Sequence, residues 1–190
     1  MAESIFDNIL KKTGGKDRSI QWFRNQVKEF GTPTVRKLVS DGRVRSRPNF
    51  GLMNFFVYSP KHEEKLPYYD RFPLVLPIEA YNNGFLGLNF HYLSIPLRVR
   101  LLNVISEYSN NTLMNEDTRI RLTWNRIKRN PLVQPTVKRY LIDHVQTPFR
   151  VINAEEMMVA VLLPVQRFVK ATENKVYSDS RKRIYNRGFY

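Results

Sequence analysis

Cysteine is absent from this chain of 190 residues, and acidic side chains are few. The absence of cysteine excludes disulfide bonds, thiolate catalysis and cysteine-ligated zinc, and it fits a reducing compartment. The 31 lysines and arginines outnumber the 17 acids, which gives a formal net charge of +14. Net charge indicates partners rather than fold. A surplus of this size favours a polyanionic partner such as DNA, while a solvated basic surface without a partner is the simpler alternative.

Histidine is also scarce, and the three histidines are His62, His91 and His144. None has another histidine or an acid at zinc-ligand spacing, apart from Asp143 next to His144. On a helix, the Asp143 side chain would point in a different direction from His144. A phosphate-binding loop is missing too, since Gly84-Phe85-Leu86-Gly87 lacks the lysine and the Ser or Thr that follow in such loops. We therefore expect no catalytic residue, no metal site and no cofactor.

Long apolar runs are missing as well. The stretch from Met157 to Val165 is among the longest, and it is far short of the roughly 20 residues that a membrane-spanning helix needs. The beginning of the chain, MAESIFDNIL, carries acids where a signal peptide would have a basic region. We expect a soluble protein without a signal peptide and without a membrane partner.

Apolar residues nevertheless make up 42% of the chain and aromatic residues 13%, which is enough to build a core. Strand patterns concentrate in residues 51–93, with aromatic and β-branched runs over 53–58, 74–78 and 85–92. Asn82-Asn83-Gly84 between two of these runs predicts a hairpin turn, since Asn and Gly tolerate positive φ. The segment predicts a small antiparallel β-sheet or an SH3-like barrel.

Helical spacing dominates both flanks of this segment. Before it, we predict helices over 4–12 and 17–30 and an extended stretch over 32–49. After it, we predict helices that begin at Ser94 and at Asn115 and helices over 136–145, 153–163 and 178–186. The predicted class is α+β, with the sheet or barrel between an N-terminal helical arm and a C-terminal helical region.

The division that we predict is a basic arm over residues 1–49 and a single α+β domain over residues 50–190. Within this domain, the β core is expected at about 51–93 and the helical part at about 94–187. Residues 1–50 hold 11 basic and 5 acidic side chains, a net charge of +6. The arm has few apolar anchors, so we expect it to become ordered on a partner, and we expect residues 50–190 to fold without it.

Basic side chains form four clusters along the chain. They are Arg36 and Lys37 with Arg43, Arg45 and Arg47; Arg126, Lys128 and Arg129; Lys138 and Arg139; and Arg181, Lys182 and Arg183. In an extended segment, Arg43, Arg45 and Arg47 would all face one way, and arginine forks match phosphate oxygens. One such cluster is usually a solvated surface, but four without compensating acids predict contacts with the DNA backbone. No helix-turn-helix or zinc-finger pattern indicates that base sequence is read.

Asp70 and Glu79 keep one enzymatic alternative open. A metal-dependent nuclease needs two or three carboxylates and a lysine around Mg²⁺, and these two acids flank one predicted strand. However, Glu79-Ala80-Tyr81 lacks the lysine that many such nucleases carry two residues after the acid. The simpler interpretation is that Asp70 caps a turn or pairs with Arg71, and that Glu79 is a surface charge.

Several segments resemble proteins of T4-like tailed phages. They include Leu66–Val75 (LPYYDRFPLV), Gly84–Leu93 (GFLGLNFHYL), Lys138–Leu141 with His144–Val145, Leu162–Phe168, Val176–Arg181, Ser4–Asp7 and Trp22–Arg24. Over nearly the whole chain, the sequence is similar to the DNA end protector class, a minor virion protein. This resemblance carries over no individual functional residue.

The resemblance implies a protein that caps the ends of the packaged genome and shields them from host exonuclease after injection. It also implies a location in the virion, and in the host cytoplasm during assembly and infection, with DNA and other virion proteins as partners. We expect the N-terminal arm to contact those virion proteins. A structural component of the phage neck, tail or baseplate stays open as the alternative, since such a component would be basic where it lines a DNA conduit.

Overall fold

Strands from three separate regions of the chain pair in one antiparallel sheet. The computed structural model describes residues 4–40, 43–109 and 123–186. Its strands are β1 (Val44–Arg45), β2 (Met53–Phe55), β3 (Tyr69–Asp70), β4 (Leu74–Tyr81), β5 (Gly84–Asn89), β6 (Val137–Leu141), β7 (Phe149–Ile152) and β8 (Phe168–Val169). Six of them form a sheet in the order β1-β7-β2-β4-β5-β6, while β3 and β8 pair separately. The antiparallel sheet and the helices on both sides of it in sequence confirm the α+β class.

The main sheet curls until it is partly closed. Tyr58, just after β2, forms an isolated bridge with Val145, just after β6, although β4 and β5 separate these two strands in the sheet order. Two hydrogen bonds support the closure: Gln146 N–H donates to the Val57 carbonyl at 2.8 Å, and Ser59 N–H donates to the His144 carbonyl at 3.1 Å. The enclosed space is filled mainly by aromatic side chains, namely Phe56, Tyr58, Phe85, Tyr140 and Phe149, together with Val75.

Two glycines let the central strands approach closely. A side chain at Gly84 would collide with the backbone carbonyl of Tyr140, and one at Gly87 would collide with Val75. Gly84 is also the first residue of β5 after the hairpin turn that Asn82-Asn83-Gly84 predicted, so the structure confirms this turn. The β4–β5 register shifts once, between Pro77 and Glu79.

Six helices can be given complete bounds within the described residues: α1 (Ile5–Thr13), α2 (Ile20–Phe30), α3 (Val35–Ser40), α4 (Ile95–Ser109), α5 (Met157–Leu162) and α6 (Glu173–Tyr185). Local signals begin and end the first two. The Ser4 and Ser19 hydroxyls accept hydrogen bonds from the first-turn N–H groups of α1 and α2, and Gly14 ends α1 with a left-handed φ of 62°. Residues 123–127 are also helical. The predicted beginning of that helix at Asn115 lies outside the described residues.

Helices from both flanks share one apolar core with the sheet. Phe6 of α1, Leu101 of α4 and Val159 of α5 belong to the same buried cluster as Phe55 of β2. In the described part of the chain, no helix is both long enough and apolar enough to cross a membrane. The division between an arm over 1–49 and a domain over 50–190 stays a prediction.

The structure corrects several predicted elements. The helix predicted over 136–145 is wrong, because these residues form β6 and a 3-10 turn at Ile142–His144, and pairing with the edge of β5 outweighs local helical spacing. The part expected to be helical, about 94–187, also contains β7 and β8, so the β core extends well beyond residue 93. The stretch 32–49, predicted to be extended, contains α3 and β1. The last helix begins at Glu173, where Thr172 caps it, and not at Ser178.

Candidate nucleic-acid interface

The first predicted basic cluster lies at the β1 edge of the sheet. Arg36 and Lys37 are exposed on α3, and Arg43, Arg45 and Arg47 are exposed on or beside β1. β1 pairs with β7, and the Arg43 guanidinium donates to the Asn153 side-chain oxygen at 3.3 Å. The chain is extended only around β1 and bends at residues 46–47, so the predicted alternation does not extend as a strand to Arg47. We call Arg36, Lys37, Arg43, Arg45 and Arg47 the β1-edge group.

The second cluster follows the helical residues 123–127. Arg126, Lys128 and Arg129 are exposed, and the Lys128 ammonium donates to the Asn125 side-chain oxygen at 3.0 Å. The 3-10 turn at Pro131–Val133 comes next and contacts α6, which carries the fourth cluster. The fold therefore connects the second cluster to the C-terminal helix.

The third cluster is divided by the strand that contains it. Lys138 and Arg139 are consecutive in β6, so their side chains point to opposite faces of the sheet. The Arg139 guanidinium lies 5.0 Å from the ring centroid of Tyr81 and donates to the Asn83 side-chain oxygen at 3.1 Å. The Lys138 ammonium lies 4.0 Å from the ring centroid of Tyr92 instead. The two neighbours in sequence thus belong to different surfaces.

Lys138 joins the fourth cluster through Arg183. Burial, together with the positive charge of Arg183, lowers the pKa of Lys138 to about 8. The charge of Arg183 also acts on Tyr68 and Tyr92, whose own pKa values are raised chiefly by burial. The rings of Tyr68 and Tyr92 are 6.0 Å apart. We call Lys138, Arg183, Tyr68 and Tyr92 the Lys138 site.

Arg181, Lys182 and Arg183 are all exposed on α6, and the charge of Arg183 acts on Lys138, so the Lys138 face of β6 and the C-terminal helix are close together. We call Lys138, Arg139, Arg181, Lys182 and Arg183 the β6-edge group, in which Arg139 lies on the opposite face of β6 from Lys138. Arg126 has an interaction of its own. Among the described residues, no salt bridge involves any other cation of the four predicted clusters. Their charges are therefore available to an external anion.

Two further arginines are buried in the interior and are not part of the basic surface. Arg98 is fully buried and donates to the carbonyls of Leu93 at 2.8 Å and Leu163 at 3.2 Å and to the Gln166 side-chain oxygen at 2.8 Å. Arg150 is also buried, and it forms a salt bridge of 3.1 Å with Glu156. These arginines contribute to the net charge but are positioned to hold the core together.

Asp70 and Glu79 do not form the two halves of a nuclease centre. Asp70 is 3% exposed, and its carboxylate accepts hydrogen bonds from the Phe72 N–H at 3.1 Å, the Arg167 N–H at 3.0 Å, the Asn89 amide at 3.2 Å and the His91 ring at 2.8 Å. Glu79 is exposed on the far part of β4. Within the described ranges, no group of three or more His, Asp or Glu residues is placed to hold a metal ion. The expected absence of metal and cofactor stays a prediction.

No local pattern in the sequence indicated the aromatic part of this interface. The run over 85–92 predicted a strand that includes Tyr92, whereas the structure places Tyr92 in a 3-10 turn after β5, next to the Lys138 ammonium. The signal in the sequence that could have indicated these rings is the set of aromatic residues within 66–92, on a chain that also carries basic clusters. Their contact with Lys138 and Arg183 depends on the pairing of β5 with β6, which no local pattern revealed.

Comparisons with known proteins place the chain in a family. No curated protein and no solved structure matched it. A family model described as the phage T4 terminal DNA protecting protein matches residues 3–186, which is nearly the entire chain. The match confirms the resemblance to the DNA end protector class, and that class is not an enzyme family. The chain belongs to the phage T4 terminal DNA protecting protein family.

Proposed function

We propose that this protein protects DNA termini by binding duplex ends through their backbone phosphates, without reading base sequence. The observation that carries the proposal is the exposure of the β1-edge and β6-edge cations, for which the described residues show no salt bridge, on a chain whose family is named for protecting terminal DNA. Phosphate contacts provide affinity and position but carry no sequence information. A protein bound at an end would exclude an exonuclease by occupying its substrate.

The presence of two separate basic groups supports binding to more than one run of DNA phosphates. The β1-edge group lies on α3 and on or beside β1, and the β6-edge group lies on β6 and α6. β1 and β6 are at the two ends of the sheet order, and both groups consist largely of exposed arginines. Arginine presents paired N–H donors that match phosphate oxygens. We propose that both groups contact DNA, and that the β6-edge group contributes the aromatic surface as well.

The proposed protection needs no chemistry by the protein itself. Asp70 is occupied by four hydrogen-bond donors, which supports a structural role for the acid that a nuclease would have used. We therefore propose a binding protein and not an enzyme. We further propose that it acts from the virion and in the host cytoplasm, where genome ends would be exposed after injection.

Binding by the isolated protein tests the proposal against a scaffold role in the neck, tail or baseplate. The measurement compares a linear duplex with a closed circular duplex of the same sequence, over a range of salt concentrations. We expect preference for the linear form and a slope of log affinity against log salt of about −0.9 per phosphate neutralised. A flat salt response, or binding that appears only with other virion proteins present, would contradict the proposal.

Two triple variants with equal loss of charge test which surface is used. Lys138→Gln, Arg181→Gln and Arg183→Gln together remove three charges from the β6-edge group. Lys16→Gln, Lys61→Gln and Lys65→Gln remove three exposed charges from elsewhere. We expect the first variant to lose protection of a linear duplex against an added exonuclease, with a salt slope smaller by up to about 3. Equal losses in both variants would show that net charge alone is responsible.

A further inference from the structure

The Lys138 ammonium is a half-buried cation for which the described part of the chain supplies no anionic partner. It lies 4.0 Å from the ring centroid of Tyr92. Among the described residues, no oxygen accepts a hydrogen bond from it and no acid pairs with it. The ammonium still reaches solvent, since it is not among the fully buried polar atoms without a partner. Its three donors can therefore serve a ligand.

The surroundings of Lys138 add positive charge and no free negative charge. Arg183 on α6 is the charged residue that acts on it, while Tyr92 and Tyr68 contribute rings. Of the two acids on the same helix, Glu173 lies in its first turn, and Asp179 already accepts hydrogen bonds from the Lys175 ammonium at 2.8 Å and from the Tyr68 hydroxyl at 3.3 Å. The like charges of Lys138 and Arg183 repel each other beside these rings, and a bound anion would remove that cost.

We propose that Lys138 and Arg183 together bind one phosphate group of DNA, with Tyr92 fixing the position of the lysine. This inference rests on the proposed function, and it names the ligand of one part of the interface. A compact ammonium and a planar guanidinium on two different elements approach a phosphate from two directions. The phosphate is either the monoester at a 5′ end or a phosphodiester within the strand, and the test separates these two sources.

Proton uptake would accompany phosphate binding at this site. Burial, with the charge of Arg183, lowers the pKa of Lys138 to about 8, so the free protein loses this charge between pH 7 and pH 9. A phosphate beside the ammonium favours the charged form and raises the pKa of Lys138 in the complex. The complex then binds more protons than the free protein above pH 8, so affinity for DNA falls as pH rises from 7 to 9.

The experiment measures affinity for two blunt duplexes that differ only in a 5′-phosphate or a 5′-hydroxyl. The proteins are the wild type, Lys138→Gln, Lys138→Arg and the control Lys61→Gln, each first shown by thermal melting to be folded. We expect Lys138→Gln to lose roughly tenfold in affinity, the size expected for one charged hydrogen bond, and Lys61→Gln to change by about twofold or less. Lys138→Arg should keep affinity at pH 7 and lose the fall in affinity between pH 7 and pH 9.

The pattern of losses identifies the phosphate. A loss for the 5′-phosphorylated duplex alone assigns the site to the terminal monoester, and an equal loss for both duplexes assigns it to a phosphodiester. Unchanged affinity in Lys138→Gln, or a loss no larger than in Lys61→Gln, overturns the site while leaving end binding intact. A wild-type protein that binds neither duplex would instead overturn the proposed function itself.

Discussion

At the scale of single residues, environment decides what a charge does in this protein. Arg98 and Arg183 are the same residue type, but Arg98 is fully buried among carbonyl acceptors whereas Arg183 is exposed on α6. The Asp70 carboxylate likewise links β5 to the segment before β8, because it accepts hydrogen bonds from the Asn89 amide and from the Arg167 N–H. Such groups hold tertiary structure, and their loss would leave several buried donors unpaired at once.

Replacement of Asp70 should therefore destabilise the fold strongly. We expect Asp70→Ala to lower the free energy of unfolding by roughly 3–5 kcal/mol, since it removes the acceptor of four hydrogen bonds, three of them buried. The exposed Asp143→Ala should change it by less than about 0.5 kcal/mol. Chemical denaturation at pH 7 measures both, and a loss in Asp70→Ala no larger than the control's would contradict the structural role.

The stability supplied by Asp70 should depend on pH. Burial alone would raise the pKa of its carboxyl, but His91 and the N–H donors outweigh burial and hold the pKa below its ordinary value of 3.8. Because the folded-state pKa is the lower one, the unfolded chain takes up the proton first as pH falls. The contribution is therefore complete above about pH 4 and is lost progressively below it. The difference in stability between the wild type and Asp70→Ala should shrink accordingly toward pH 2.

At the scale of elements, local signals predicted some parts well and missed those that depend on distant partners. Helical spacing located α1 and α2, and Asn-Asn-Gly located the β4–β5 turn. β6 was mistaken for a helix because its strand character arises from pairing with β5. The same error made Lys138 and Arg139 look like one basic pair, whereas strand geometry separates them. The sequence thus located the basic residues but not their grouping.

The packing of α1 can be tested with one substitution. Phe6 is 1% exposed, and its ring lies 5.2 Å from the guanidinium carbon of Arg150, while Ile20 at the beginning of α2 is 38% exposed. We expect Phe6→Ala to cost about 3–5 kcal/mol of stability, because it leaves a cavity in the shared core. Ile20→Ala should cost less than about 1 kcal/mol. A small effect of Phe6→Ala in a denaturation curve would show that α1 is only loosely attached.

At the scale of the whole molecule, the N-terminal residues connect the core to the β1-edge group. The buried apolar side chains that α1, α2 and α3 contribute to the shared cluster are Ile5, Phe6, Ile9, Val27 and Leu38. β1 then covers the outer side of β7, where Val151 N–H donates to the Arg43 carbonyl at 2.9 Å. These contacts give the segment a structural role in addition to its positive charge. They argue against the expectation that residues 50–190 fold alone, and deletion of residues 1–49 tests it.

Deletion of residues 1–49 should therefore unfold the protein or leave it without a cooperative melting transition. Burial of each of the five side chains contributes about 1.5–3 kcal/mol, so their combined loss is on the order of 10 kcal/mol. That loss is comparable to the total stability of a typical domain, about 5–15 kcal/mol. The deletion also exposes the edge of β7, and an unpaired edge promotes aggregation. Calorimetry and size-exclusion chromatography measure the effect of the truncation. The control is a full-length variant with Arg43→Gln and Arg45→Gln, which keeps the core. The double variant should melt like the wild type and bind DNA less tightly. A truncated chain that instead melts cooperatively as a monomer would establish the boundary at residue 49 and make the first 49 residues an independent arm.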